Sequence, residues 1–182
     1  MKILTAVFVY GGYIHYTLAK ALTRISKESE IAYIQMSPID AARNHAVHLA
    51  LTGSYDYLLM IDNDVAPKRN PLHSVWQKKD IILFPTPIIH KGKTVLNIKP
   101  KANIWSGIQE IDRGGTGCAL ISRKVMETLT KPYFKFEQNE DGTLAMGEDV
   151  YFCEKAKQAG FSLWTNFYCP CVHYKSINLF GT

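Results

Sequence analysis

The stretch Met60-Ile61-Asp62-Asn63-Asp64-Val65 ends an apolar run, Tyr57 to Ile61, on two carboxylates separated by one asparagine. In an extended segment, residues two apart point to the same side, so Asp62 and Asp64 are expected to present their carboxylates together. The carboxyl end of a central strand is where open α/β sheets bind ligands. Two adjacent carboxylates repel and lose hydration there, and a cation resolves both costs. Oxygen ligands select a hard divalent ion, Mn²⁺ or Mg²⁺, of the kind that bridges to substrate phosphates. The competing reading is a plain turn, since Asp and Asn favour loop starts and Pro67 follows closely.

A second acidic pair, Glu148 and Asp149, follows Gly147 at the start of a helical pattern. Acids in a first helical turn complement the helix dipole. They are also suited to take a proton from a substrate hydroxyl. Further on, "YCPCVHYK" (168–175) offers His173 as an imidazole ligand and Lys175 as a phosphate partner. Cys169, Cys171 and His173 alternate and would share a strand face, which makes zinc conceivable, although a fourth ligand is missing and thiols are often simply buried. His15, His45, His48, His73 and His90 show no partner pattern and read as surface or core residues. Trp76, Trp105 and Trp164 read as core or cleft wall, with Trp105 beside Ser106-Gly107 able to platform a sugar.

The elements that must position these groups alternate. "KILTAVFV" (2–9) reads as a buried strand stopping at Gly11-Gly12. Ile14, Leu18, Leu22 and Ile25 form a helical stripe, "IAYIQMS" a second strand, and Pro38 starts a helix whose buried face carries Ile39, Ala42, Ala46 and Leu49. "YLLMI" is the third strand. "DIILFPTPI" supplies another, "KTVLNI" and "ANIWSGIQEI" a hairpin or edge elements, and "GGTGCALI" a strand feeding the helix "SRKVMETL". "GEDVYFCEKAKQAG" is a helix closed by Gly160, and "FSLWTNF" the last strand. Strand–helix alternation predicts an α/β fold with a mostly parallel central sheet flanked by helices.

A chain of 182 residues, 47% hydrophobic and 20% charged, fits one domain spanning 1–182 with a continuous core. No repeat, linker, signal cleavage site or membrane-length apolar run is visible. Four cysteines without a secretory segment point to reduced thiols and a cytoplasmic setting. The net charge of +5 concentrates in the middle at Lys68, Arg69, Lys78, Lys79, Lys91, Lys93, Lys99 and Lys101, whereas acids gather later. No nucleic-acid-binding pattern accompanies these lysines, so nucleic acid is not an expected partner.

The ordered set "ARN" (42–44), "MIDNDV" (60–65), "GGTGCALISRKVMETL" (114–129), "GEDVYFCEKAKQAGF" (147–161) and "VHYK" (172–175) resembles nucleotide-sugar-dependent glycosyltransferases of the GT-A fold, with the closest likeness to family 2. The resemblance covers nearly the whole chain and looks like a near-minimal catalytic domain. It implies a nucleotide-diphosphate sugar donor, an unidentified glycan or other hydroxyl acceptor, and Mn²⁺ or Mg²⁺ as cofactor. Asp62, Asp64 and His173 match the metal site. Asp149, with Glu148 beside it, matches the base of an inverting transfer. Arg43, Asn44 and Asn63 match positions near the nucleotide, and Gly115, Thr116 and Gly117 a loop near the donor sugar. Tyr10 could stack on the base. The family's usual acidic residue after the second strand is absent, the segment reading "QMSPID" instead. The alternatives are a non-catalytic nucleotide-sugar or carbohydrate-binding module and a sugar nucleotidyltransferase. The latter calls for an Arg-containing phosphate loop after the first strand, where "YGGYIHY" has no Arg.

Overall fold

The computed structural model describes residues 1–102 and 106–174. In chain order these give β1 (Ile3–Phe8), α1 (Tyr16–Ile25), β2 (Glu30–Ile34), α2 (Ile39–Thr52), β3 (Tyr57–Asp62), β4 (Val65–Pro67), β5 (Ile81–Leu83), β6 (Pro87–His90) and β7 (Lys93–Leu96). There follow β8 (Ile98–Pro100), β9 (Ile108–Gly114), β10 (Cys118–Ser122), α3 (Arg123–Thr128), β11 (Glu137–Gln138), β12 (Leu144–Met146), α4 (Glu148–Gln158), β13 (Leu163–Asn166) and β14 (Cys171–His173).

Eight strands form the central sheet in the order β2-β1-β3-β10-β5-β13-β9-β8. β1 pairs in parallel with β2 and β3, and β5 with β13, while β10 and β9 run against their neighbours. Six of the eight strands therefore share one direction, and the expected mostly parallel α/β sheet holds with two reversed strands. Strand alternation divides the core. Leu4, Ala6, Phe8, Leu58 and Met60 face α2, α3 and α4, whereas Ile3, Val7, Leu59 and Ile61 face α1. Ala42, Ala46 and Ala50 are fully buried, and their small side chains let α2 lie close on the sheet.

Two details, the split of one strand and the exposure of Trp76, differ from the sequence reading. "DIILFPTPI" is two strands rather than one, because Pro85 has no N–H to continue the ladder and the chain leaves the sheet for the β6–β7 hairpin. Trp76 is 75% exposed, so it belongs to neither core nor cleft. Trp164 is half-buried, with the Lys79 ammonium 3.5 Å above its ring. Trp105 lies outside the described residues.

Candidate functional site

Asp62 is the last residue of β3, and the even positions of that strand face α2. Its carboxylate therefore meets Arg43, which α2 carries beside its buried alanines. The Arg43 guanidinium is 2% exposed. It sits 3.2 Å from Asp62 Oδ1, 3.6 Å from Glu148 Oε1 and 4.0 Å from Asp149 Oδ1, and it donates to the Thr116 carbonyl at 3.2 Å. The Phe8 ring lies 5.1 Å from the guanidinium carbon. Burial works against the arginine's charge, yet the three carboxylates hold it protonated. Burial pushes the Asp62 carboxyl up, Arg43 opposes this, and Asp149 and Asp64 push it further. Glu148 is likewise raised by burial and by Asp149, against Arg43.

The chain turns at Asn63–Asp64 before entering β4, so the extended geometry expected for the acidic pair is replaced by a divergent one. Asp62 points to Arg43, and Asp64 points to His173, whose Nε2 lies 3.1 Å from Asp64 Oδ2. Asn63 uses its amide to hold the carbonyls of Tyr10 and Tyr13 at 2.9 and 3.0 Å, bracing the loop that carries Tyr10. That loop needs Gly11 and Gly12, whose φ values of +72° and +78° disfavour any side chain. β14 pairs with β4 through His173↔Val65, which delivers His173 to Asp64.

The donor set was tested against a divalent ion. The His173 Nδ1 lies 2.9 Å from the Pro87 carbonyl, which can only accept, so Nδ1 carries a proton. In the neutral ring Nε2 is then a lone pair facing a carboxylate oxygen, and either a second proton or a cation must lie between them. An imidazole held by a backbone carbonyl through its other nitrogen is the usual support of a metal-binding histidine. Among the described residues, no three His, Cys, Asp or Glu side chains gather into a cage. Asp64 and His173 are thus the two donors that would suit a hard divalent ion there, and a protein-only cage is not present among the described residues.

These groups surround one cleft of about 760 Å³. Of the residues singled out in the sequence, Tyr10, Asp62, Asn63, Asp64, Gly115, Gly117, Asp149 and His173 line it. Arg43, Thr116 and Glu148 lie beneath it, buried. Thr116 Oγ1 donates to Asp149 Oδ1, and Gly117 admits the Asp62 carboxylate, since a Cβ there would stand 2.9 Å from Oδ2. Asn44 spends its amide on the Asp40 and Phe134 carbonyls and the Tyr133 and Phe134 amides, fastening that loop to α2. Lys175 lies outside the described residues. Cys169 and Cys171 are 3% and 4% exposed in the core, and burial pushes the Cys169 thiol up to about 12, which disfavours the thiolate that zinc requires.

Sequence reasoning missed Asn97, Lys99 and Arg113 on the cleft wall. Asn97 accepts from the Thr86 amide at 2.8 Å, and its backbone carbonyl accepts from the Gly115 amide at 2.9 Å, fixing the glycine loop. A polar residue between β7 and β8 in an irregular region carries no periodic signal that would single it out.

No protein-family model matches the chain, and no curated protein does. Its structure is similar to the crystal structure of A197 from STIV, with 20% identity and a TM-score of 0.73 over 97% of this chain and 87% of that one. It is also similar to the crystal structure of GalNAc-T7 with UDP, GalNAc and Mn²⁺, with 10% identity and a TM-score of 0.60 over 97% of this chain and 44% of that one. The chain thus spans less than half of that protein. At such identities the likeness shows the fold, which is GT-A-like.

Proposed function

We propose that the chain is a glycosyltransferase, folded as one domain over residues 1–182, that moves a sugar from a nucleotide diphosphate to an acceptor hydroxyl. The observation supporting this reading is the meeting of Asp62, Asp64, Asp149 and His173 around one cleft of a GT-A-like fold. Asp64 and His173, with Asp62 nearby, would hold Mn²⁺ or Mg²⁺. When bound, the ion supplies charge stabilisation to the departing diphosphate.

The chain's own groups account for the rest. Asp149 stands in the first turn of α4, and its side chain is 31% exposed toward the cleft. Thr116 and Arg43 hold its Oδ1, leaving Oδ2 to take the acceptor proton. The acceptor oxygen then bonds to the anomeric carbon as the bond to the phosphate oxygen breaks, and the electron pair leaves with the diphosphate. Attack from the side opposite the leaving group inverts the anomeric centre. Glu148, whose side chain is 12% exposed and tied to Arg43, positions the guanidinium rather than touching substrate. Tyr10, 63% exposed at the cleft, stacks on the nucleotide base. Lys175, read from the sequence as a phosphate partner, would add positive charge to donor binding. Four free, buried thiols fit a reducing, cytoplasmic setting, and no described helix is long and apolar enough to cross a membrane.

The test is a panel of nucleotide sugars and nucleoside diphosphates with Mn²⁺. A diphosphate is expected to raise the melting temperature with Mn²⁺ and much less in EDTA, and the matching donor to release free nucleotide. Equal shifts with and without metal overturn the metal bridge. Binding without turnover across a broad acceptor panel leaves a carbohydrate-binding module.

A further inference from the structure

Lys99 on β8 and Arg113 on β9 are register partners, and both line the cleft. Like charges directly opposite across a ladder destabilise a sheet, so the pairing works against the fold at this point. Lys99 has an internal partner, Asp112, at 2.8 Å. Arg113 is exposed, and among the described residues its side chain has neither a hydrogen bond nor an ion pair. Its chain neighbours are tied to one helix: Asp112 binds Lys157 at 3.2 Å, and the Gly114 carbonyl accepts from Cys153 Sγ at 3.4 Å. Both partners belong to α4, the helix whose first turn carries Asp149. β9 is thereby packed on α4, which puts Arg113 on the cleft wall next to the helix that carries Asp149, whereas Asp64 and His173 stand on the β4–β14 side.

We infer that Lys99 and Arg113 form an anion subsite for the acceptor, which therefore carries a carboxylate, sulfate or phosphate beside the hydroxyl that Asp149 activates. This rests on the glycosyltransferase reading for the word acceptor, but the anion site itself does not. An acceptor whose hydroxyl meets Asp149 extends over the adjoining wall, and a guanidinium there, free of internal partners, selects a planar or tetrahedral anion by paired hydrogen bonds. The acidic floor of Asp62, Asp64 and Asp149 repels an anion that enters elsewhere, so the two cations also set the direction in which the acceptor lies.

The experiment titrates the full chain with Mn²⁺ against methyl β-D-glucuronide, galactose 6-sulfate and neutral methyl β-D-glucoside, by calorimetry or ligand-observed NMR. At least one anionic probe is expected to bind ~10-fold or more tightly than the neutral one, and to weaken as salt rises. Arg113→Gln is expected to erase that preference while leaving the affinity for uridine diphosphate unchanged. The exposed position keeps the variant folded, and a melting temperature equal to or above that of the parent checks this. Lys99→Gln is expected to reduce the preference less, because Asp112 already neutralises part of its charge. Equal binding of charged and neutral probes overturns the inference. So does a loss of uridine diphosphate affinity in Arg113→Gln, which would assign the arginine to the donor. If the anionic preference holds but no donor is turned over, the subsite stands and the transferase reading fails.

Discussion

Replacing Arg43 by Met keeps the length and apolar stem of the side chain and removes its charge. Asp62, Glu148 and Asp149 then share the cleft floor without a counter-ion, and the Thr116 carbonyl loses a donor. Breaking a buried ion pair by removing one partner costs about 3–5 kcal/mol. The side chains of Asp62 and Asp149 are 27% and 31% exposed, so water relieves part of that and the lower end applies. A loss of about 3 kcal/mol lowers the melting temperature of a domain this size by roughly 6–12 °C. The pH dependence gives a sharper test. Asp62 and Glu148 are already raised in the folded protein, so they hold protons there at pH values where the unfolded chain has lost them. Stability contributed by such acids is present at low pH and lost as pH rises through the raised value. Without Arg43 the raise grows, so the variant's deficit should be larger at pH 8 than at pH 5. Urea denaturation of both proteins across that range measures it. A deficit under 1 kcal/mol, or one independent of pH, would refute the view of Arg43 as the counter-charge of the floor.

Asp64→Ala is expected to abolish the Mn²⁺-dependent part of nucleoside diphosphate binding and His173→Ala to weaken it ~10-fold or more, both with the fold retained; thermal shift with and without EDTA reads each. Asp149→Asn should leave donor affinity nearly intact and cut transfer ~10²-fold or more, and full activity in it would remove Asp149 as base. Glu148→Gln removes a raised carboxyl, so it should be neutral or stabilising at pH 7 relative to its effect at pH 4, as denaturation at the two values shows. Gly117→Ala drives a methyl to 2.9 Å from Asp62 Oδ2 and should weaken diphosphate binding more than it lowers the melting temperature, because the displaced carboxylate edges the cleft.

The elements with a clear period were legible. α1, α2 and α4 announce themselves through apolar spacing, because each buries one face on the sheet, and β1 and β3 through continuous apolar runs, because both of their faces are buried. The reversal of β10 and β9 was not legible, since a strand's alternation is the same in either direction. The geometry expected of the acidic pair was only partly right. Spacing two apart placed Asp62 and Asp64 together, but Asn63 turns the chain to hold the Tyr10 loop and sends each carboxylate to its own partner. Arg43 was assigned to the nucleotide on the resemblance of its Ala-Arg-Asn segment, and nothing in the sequence signalled its burial under the floor. The alanines at 42, 46 and 50 are what bring the helix close enough to bury it.

Arg43 also explains why the floor can be acidic at all. Three carboxylates around one guanidinium leave two negative charges in excess when all are ionised, and burial already pushes Asp62 and Glu148 toward the neutral form. A second internal cation would have settled that excess and closed the site to any external one. Instead the remaining cations of the cleft, Lys99 and Arg113, stand on the opposing wall, where the fold gains nothing from their pairing. A positive wall, with Lys99 partly met by Asp112, therefore faces a floor with more carboxylates than internal cations across one cavity. That arrangement suits the proposed divalent ion below and the proposed anionic group above.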